Sequence, residues 1–203
     1  MNNILVSIRP KWCEKIFHEI GKDENSKPIY EKEIEVRKSR PKEVPFKCYI
    51  YCTKDRRNLL PIEHGEVLQK VNFWENTDAY YSFGNVIGEF ICDKVYEWKN
   101  RLELDGELGL LNWRASYIIF ANDLEKICLT YDDLWNYGNG KTLYGWHISD
   151  LKIYDKPKEI GEFRKPCNKN ANCFYCKKAG FSGGRCIGNI TRPPQSWCYV
   201  EEI

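Results

Sequence analysis

Phe46-Lys47-Cys48-Tyr49-Ile50-Tyr51-Cys52-Thr53 is the most strand-like stretch of the chain. Aromatic and β-branched residues dominate it, and Pro41 and Pro45 punctuate its approach. Ahead of it, Ile4-Leu5-Val6-Ser7-Ile8 reads as a strand that runs into Arg9-Pro10, and Pro10 suits the first turn of a helix. Trp12, Ile16, Phe17 and Ile20 recur at helical spacing, which predicts a helix ending at Gly21. The polar stretch from Lys22 to Pro28 reads as a loop or helix extension. Glu33-Ile34-Glu35-Val36-Arg37 follows as a short strand, with Ile34 and Val36 on one face and the charged residues on the other.

Behind the central strand, residues 54–82 read as a surface excursion. The stretch from Val86 to Trp98 is one long β candidate, with Gly88 at a bend or close approach. Residues 99–122 carry no clear period, and Leu108 to Ile119 holds helix or strand. Thr130 followed by Asp133 is a capping box with Asp in place of Glu, so a helix begins there and stops at Gly138. Tyr144 to Tyr154 reads as two strand pieces joined at Ser149-Asp150, and Trp197 to Glu202 as a last strand. At least five short strands with two or three helices predict a mixed α+β fold, a small β barrel with peripheral helices. No glycine-rich loop links a strand to a helix, which argues against nucleotide-binding α/β folds.

The chain has 203 residues, 42% hydrophobic and 30% charged, which suits one globular domain with a small appendage. Its 14% aromatic content is too high for global disorder. No apolar run approaches the ~20 residues of a membrane span, and the first residues lack a secretion signal, so a cytoplasmic location is the expectation, and with no oligomer signal in the sequence a monomer is the default. Net charge is +2 with histidine neutral, so any nucleic-acid surface must be a local patch.

The segments in order resemble the ASCH domain family, a branch of the PUA-like superfold. The resemblance enters at Ile4-Leu5-Val6-Ser7-Ile8-Arg9-Pro10-Lys11-Trp12 and strengthens at Tyr30-Glu31-Lys32-Glu33-Ile34-Glu35-Val36-Arg37-Lys38. There Lys32 and Arg37 keep the family's separation in its GxKxxxxR-like segment. Phe46 to Thr53 resembles the central barrel strand, Val86-Ile87-Gly88-Glu89-Phe90 the return strand, and Tyr144-Gly145-Trp146-His147-Ile148 with Leu151-Lys152-Ile153-Tyr154 the late pair. Tyr30 stands where the family has Gly, Lys22 to Ile29 is an insertion, and most small members lack residues 161–196. The resemblance implies residues 1–160 as an ASCH/PUA-like barrel, 161–196 as a cysteine-rich insertion, and 197–203 as the closing strand. It implies binding of RNA or a modified nucleotide. Some small members resemble amidohydrolases that deacylate N4-acetylcytidine with a Lys, a Thr and a Glu. These positions fall on Lys32, on Glu35 in place of the Thr, and near Glu125.

Two chemical readings of the charged stretch stand side by side. As a binding surface, Lys32, Arg37, Lys38 and Arg40 hold phosphates or base edges while Trp146 stacks. Trp12 and Trp113 are further stacking candidates. As a small amidohydrolase or nuclease acting on nucleosides or RNA, Lys32 activates water or bears the acyl group, and Glu89 or Glu125 shuttles the proton. Glu89 either faces outward by alternation or faces inward and needs a partner such as Arg37. His147 is a base near the cleft or a structural histidine. A third reading, a mobile-element regulator acting through protein contacts, fits the near-neutral charge.

The ten cysteines divide by surroundings. Cys48, Cys52, Cys92 and Cys128 sit among apolar residues and read as small buried hydrophobes, with Cys13 and Cys198 intermediate. Cys167, Cys173, Cys176 and Cys186 lie in a polar, glycine-rich stretch with spacing C-x5-C-x2-C-x9-C. Four thiolates of this kind suit one tetrahedral structural zinc, and basic neighbours such as Lys169, Lys177 and Arg185 offset its charge. Free thiols, a disulfide or an iron–sulfur cluster are the alternatives. Elemental analysis of protein purified without chelator is expected to find about one zinc per chain. Metal-free protein whose melting does not change on adding zinc would contradict the assignment.

Overall fold

The computed structural model describes residues 2–54, 83–99, 119, 121–166 and 188–202. The strands are β1 (Asn2–Ile8), β2 (Glu19–Lys22), β3 (Pro28–Tyr30), β4 (Ile34–Arg37), β5 (Phe46–Cys52), β6 (Val86–Cys92), β7 (Val95–Trp98), β8 (Leu143–His147), β9 (Ser149–Lys158), β10 (Phe163–Arg164) and β11 (Trp197–Glu202). The helices are α1 (Pro10–Phe17), α2 (Ala121–Ile127) and α3 (Tyr131–Gly138), with a 3-10 turn at Ile160–Glu162. The fold is mixed α+β. None of the helices described is long and apolar enough to cross a membrane. Chain contacts divide it into two compact units, one of residues 1–13, 46–90 and 151–203, the other of residues 14–45 and 91–150.

The first unit is built on a six-stranded sheet of order β10-β11-β1-β5-β6-β9. β1 lies inside it, parallel to β5 with Ile4 opposite Cys48 and Val6 opposite Ile50, and antiparallel to β11 with Leu5 opposite Cys198. Ile4, Leu5 and Val6 are all fully buried, as an unbroken apolar run in an interior strand requires. One face buries Leu5, Tyr49, Tyr51, Val86, Tyr154, Phe163, Ile190 and Val200, and the Tyr49 and Phe163 rings meet edge to face at 4.8 Å.

This sheet bends strongly. β9 and β10 lie at its opposite edges, yet only Glu159 to Glu162 separate them in sequence. Five strand spacings in a flat sheet span about 24 Å, whereas five residue steps reach at most about 17 Å. Side chains bridge the same gap. Lys158 on β9 pairs with Glu202 on β11, and Tyr49 Oη donates to the other oxygen of Glu202 at 2.8 Å. Glu89 on β6 accepts from Tyr154 and pairs with Lys47 at 2.8 Å. Partial burial pushes both carboxyls up, but their lysine and tyrosine donors outweigh it and hold them below the usual carboxylate range. No β9–β10 pairing occurs among the described residues, so the sheet is bent and open.

The second unit contains the β2–β3 hairpin, a three-stranded antiparallel sheet of order β4-β8-β7, and helices α2 and α3. One face of that sheet packs Ile34, Val36, Trp98 and Leu143 with Ile127 and Leu134 from the helices. Gly145 allows this closeness, because a Cβ there would come within 2.3 Å of the Trp98 ring. Helix α3 carries the expected capping box between Thr130 and Asp133, and ends on Asn139 in the left-handed conformation.

Several boundaries differ from the sequence expectations. The first helix ends at Phe17, not Gly21, because Glu19–Lys22 turns into a hairpin closed by the Asp23 carboxylate, which accepts from the backbone of Asn25 and Lys27. Ile20 is therefore exposed on β2 rather than on a helix face. The single strand expected from Val86 to Trp98 is two, broken at Asp93-Lys94, and each half joins a different sheet. Cys48, Cys52 and Cys92 are buried as expected, and so is Cys13, while Cys128 and Cys198 are half-buried. The four proposed zinc ligands, Trp113 and most of the 54–82 excursion lie outside the described residues.

Candidate functional site

β4 begins at Ile34, so Lys32 precedes the strand and alternation does not place it. Three backbone bonds fix this approach instead. Lys32 N–H donates to Lys15 O, Glu33 N–H to Lys126 O, and Ile148 N–H to Glu33 O. The Lys32 side chain then runs to the end of α2, where Nζ donates to the Ile127 carbonyl at 2.6 Å. A cation at a helix C-terminus meets carbonyls that have no partner within the helix.

The same ammonium lies 3.7 Å from Glu35 Oε2, and Glu35 Oε1 accepts from the Arg37 guanidinium at 2.8 Å. Lys32 is 2% exposed, Glu35 6% and Arg37 7%. One buried carboxylate thus serves two buried cations. Burial pushes the Lys32 ammonium below its usual value, Glu35 opposes that shift, and Arg37 adds to it. Glu35 and Arg37 share one face of β4, opposite Trp146 and Tyr144 of β8.

Toward solvent the arrangement continues as cations over aromatic rings. Arg37 donates to the Tyr137 phenol, which burial pushes up. Lys38 Nζ stands 4.8 Å from the centroid of the Tyr137 ring, and the Arg40 guanidinium 6.0 Å from that of Tyr144. Lys38 and Arg40 are exposed, while both rings are half-buried. Chemically this is a positively charged, aromatic edge over a buried ion cluster. The edge suits phosphate and base contacts, while a desolvated lysine beside a carboxylate suits proton transfer.

The structure sorts the residues proposed from sequence. Lys32 and Arg37 come together, joined by Glu35, and Lys38 and Arg40 extend from them. Glu89 is engaged by Lys47 and Tyr154 in the six-stranded unit. Glu125 is exposed on α2, and its backbone carbonyl accepts from the Cys128 N–H. Trp146 is fully buried, so its ring does not stack against solvent-borne bases. Trp12 is half-buried with Lys11 Nζ 4.4 Å above its ring. His147 Nδ1 bonds Asp93 Oδ1 at 2.6 Å.

Sequence reasoning missed Glu35 as the carboxylate of Lys32. The proton partners read for Lys32 were Glu89 and Glu125, while Glu35 was grouped with Glu33 and Arg37 on the charged face of the strand. The usable signal was a Lys-x-x-Glu-x-Arg spacing at a strand entrance, where the first residue is free to turn toward the fourth.

No protein-family model matches the chain, and no curated protein matches it. Among solved structures it is similar to the crystal structure of ASCH from Zymomonas mobilis, at 14% identity and a TM-score of 0.47, covering 98% of this chain and 88% of that one. It is also similar to two mutant forms of the Zymomonas mobilis protein, at 13% and 12% identity with TM-scores of 0.47. These cover 99% and 98% of this chain, and 91% and 89% of theirs.

Replacing Lys32 by Met keeps the buried stem and removes the bonds to Ile127 and Glu35. Unfolding free energy at pH 7 is expected to fall by about 1–3 kcal/mol in urea titrations. The folded-state pKa of Lys32 is depressed, so between that value and the ordinary lysine value near 10.4 the unfolded chain binds more protons. The stability that Lys32 contributes therefore rises with pH through that window, and the gap between wild type and variant should widen. A variant as stable as wild type at pH 7 and throughout that window would refute the buried-charge assignment.

Proposed function

We propose that this protein is an ASCH/PUA-like domain that recognises RNA or a modified nucleotide through the basic, aromatic edge of its second unit. The exposed pairs Lys38–Tyr137 and Arg40–Tyr144 carry this reading, because the buried Glu35–Arg37 pair and the β4–β8 register fix both. Lys38 and Arg40 neutralise phosphates. A base entering over Tyr137 or Tyr144 completes a stack already polarised by a cation. Lys32 supports from below, since its ammonium is spent on Ile127 and Glu35. The bend of the six-stranded sheet supports the PUA-like barrel as its architecture. A structural zinc on Cys167, Cys173, Cys176 and Cys186 belongs to the same proposal.

One observation favours a second reading. Lys32 is desolvated beside a carboxylate, as a small amidohydrolase acting on acylated nucleosides needs, with Glu35 in the role expected of Glu89 or Glu125.

Fluorescence anisotropy with a labelled single-stranded RNA of about 12 nucleotides, titrated between 50 and 200 mM salt, tests the first reading. Wild type is expected to bind with a salt slope of about −0.7 per phosphate neutralised. Lys38→Ala and Arg40→Ala should each weaken binding several-fold and shed about one contact from the slope. Wild type that binds neither RNA nor nucleotides would overturn the reading. Turnover of an acylated nucleoside, lost in Lys32→Ala, would establish the second.

A further inference from the structure

Helix α3 ends at Gly138 and strand β8 begins at Leu143, so residues 139–142 join them. The two rings of the basic edge stand at either end of that link, Tyr137 in the last turn of α3 and Tyr144 near the start of β8. Asn139 and Gly140 make the turn between them. Both have positive φ, 51° and 75°, a region that Gly adopts freely and Asn tolerates. Lys141 N–H closes the turn on the Gly138 carbonyl at 3.2 Å, and Asn139 N–H caps the helix on the Trp135 carbonyl at 2.7 Å.

Asn139 is exposed to water. Gly140 follows it, and without a Cβ it leaves its backbone nitrogen unshielded by any side chain of its own. An asparagine amide followed by such a nitrogen can close on it to form a cyclic imide. In the turn, with ψ of Asn139 at 44°, the amide carbon and the nitrogen are held apart. Bringing them together requires rotation about ψ of Asn139. The helix-capping bond to Trp135 lies before that torsion and stays made. The bond from Lys141 to Gly138 lies beyond it and opens, while Gly140 takes up the change of path.

We propose that Asn139 is a site of spontaneous covalent modification that weakens the RNA edge, its side-chain amide being displaced by the Gly140 nitrogen and replaced by a carboxylate. The inference rests on the RNA reading above and names a regulation of that edge. Hydroxide takes the Gly140 N–H proton, the nitrogen forms a bond to Asn139 Cγ, and the bond from Cγ to the amide nitrogen breaks. The departing nitrogen takes a proton from water and leaves as ammonia, which regenerates the hydroxide. Water then opens the imide. Attack at Cγ returns the proton to the Gly140 nitrogen and yields aspartate, while attack at the main-chain carbonyl yields isoaspartate. Either acid passes its proton to ammonia, so the protein gains one negative charge. That charge sits at the carbonyl end of α3, where an anion is disfavoured, two residues from the ring that carries Lys38. Isoaspartate also adds a methylene to the main chain between Tyr137 and Tyr144, the rings beneath Lys38 and Arg40.

The test stores the full chain warm, at neutral and at mildly alkaline pH, and compares it with fresh protein. Peptide mass spectrometry follows conversion at residue 139, and anisotropy follows binding of the labelled RNA. Wild type is expected to convert, faster at the higher pH, and to bind several-fold more weakly as it does. Asn139→Gly keeps a turn that accepts positive φ and should hold its fresh affinity through storage. Asn139→Asp should bind more weakly from the outset. Residue 139 that stays intact in stored wild type, or converted protein that binds as tightly as fresh, overturns the proposal. Fresh protein that binds no RNA overturns the RNA reading and the regulation with it, while the conversion measurement still decides the chemistry at Asn139.

Discussion

The carboxylate of Glu35 carries the electrostatics of the second unit. Two cations, Lys32 and Arg37, sit within 3.7 and 2.8 Å of it, and all three side chains are buried. Removing charges from water costs several kcal/mol each, so the cluster is tolerable only because its geometry is shared out. The Ile127 carbonyl accepts a hydrogen bond from Lys32 at the end of α2, and the Tyr137 phenol accepts one from Arg37. The cluster thereby ties β4 to both helices, and the residues that follow, Lys38 and Arg40, emerge over fixed tyrosine rings. Position of the surface edge is a consequence of how the buried charges are satisfied.

The first unit solves a different problem. A six-stranded sheet leaves two edges, and here a four-residue connection draws them toward each other. Glu89 and Glu202 each gather one lysine and one tyrosine along that bend. Lys47 and Lys158 also lie over the rings of Tyr49 and Tyr154. These polar residues ride on the same face as Phe163 and Val200, so apolar packing and paired charges act together.

Much of the fold was legible because local signals agreed with the tertiary outcome. Ile4 to Ile8, Phe46 to Cys52 and Trp197 to Glu202 read as strands and are strands. Thr130 and Asp133 read as a cap and form one. The misreadings share a cause, which is that periodicity carries no information about partners. Ile20 fits a helix until the Asp23 turn folds its neighbours into a hairpin. Val86 to Trp98 looks continuous although two residues hand the chain from one sheet to another. At the site, Lys32 and Arg37 were visible as charges, but their shared carboxylate depended on where β4 starts. Trp146 looked like a stacking residue and is fully buried opposite Glu35, because the second face of its sheet is also covered. The Asp93–His147 contact joins residues 54 apart and left no mark in the sequence.

A double-mutant cycle on Glu35 and Arg37 tests the central claim most directly. Urea unfolding of wild type, Glu35→Gln, Arg37→Met and the double variant yields the coupling energy between the two side chains. A buried pair at 2.8 Å predicts coupling of about 1.5–3 kcal/mol, with the double variant much less unstable than the sum of the singles. Additive losses, with coupling near zero, would mean that the pair is solvated and that the edge above it is not held by this cluster.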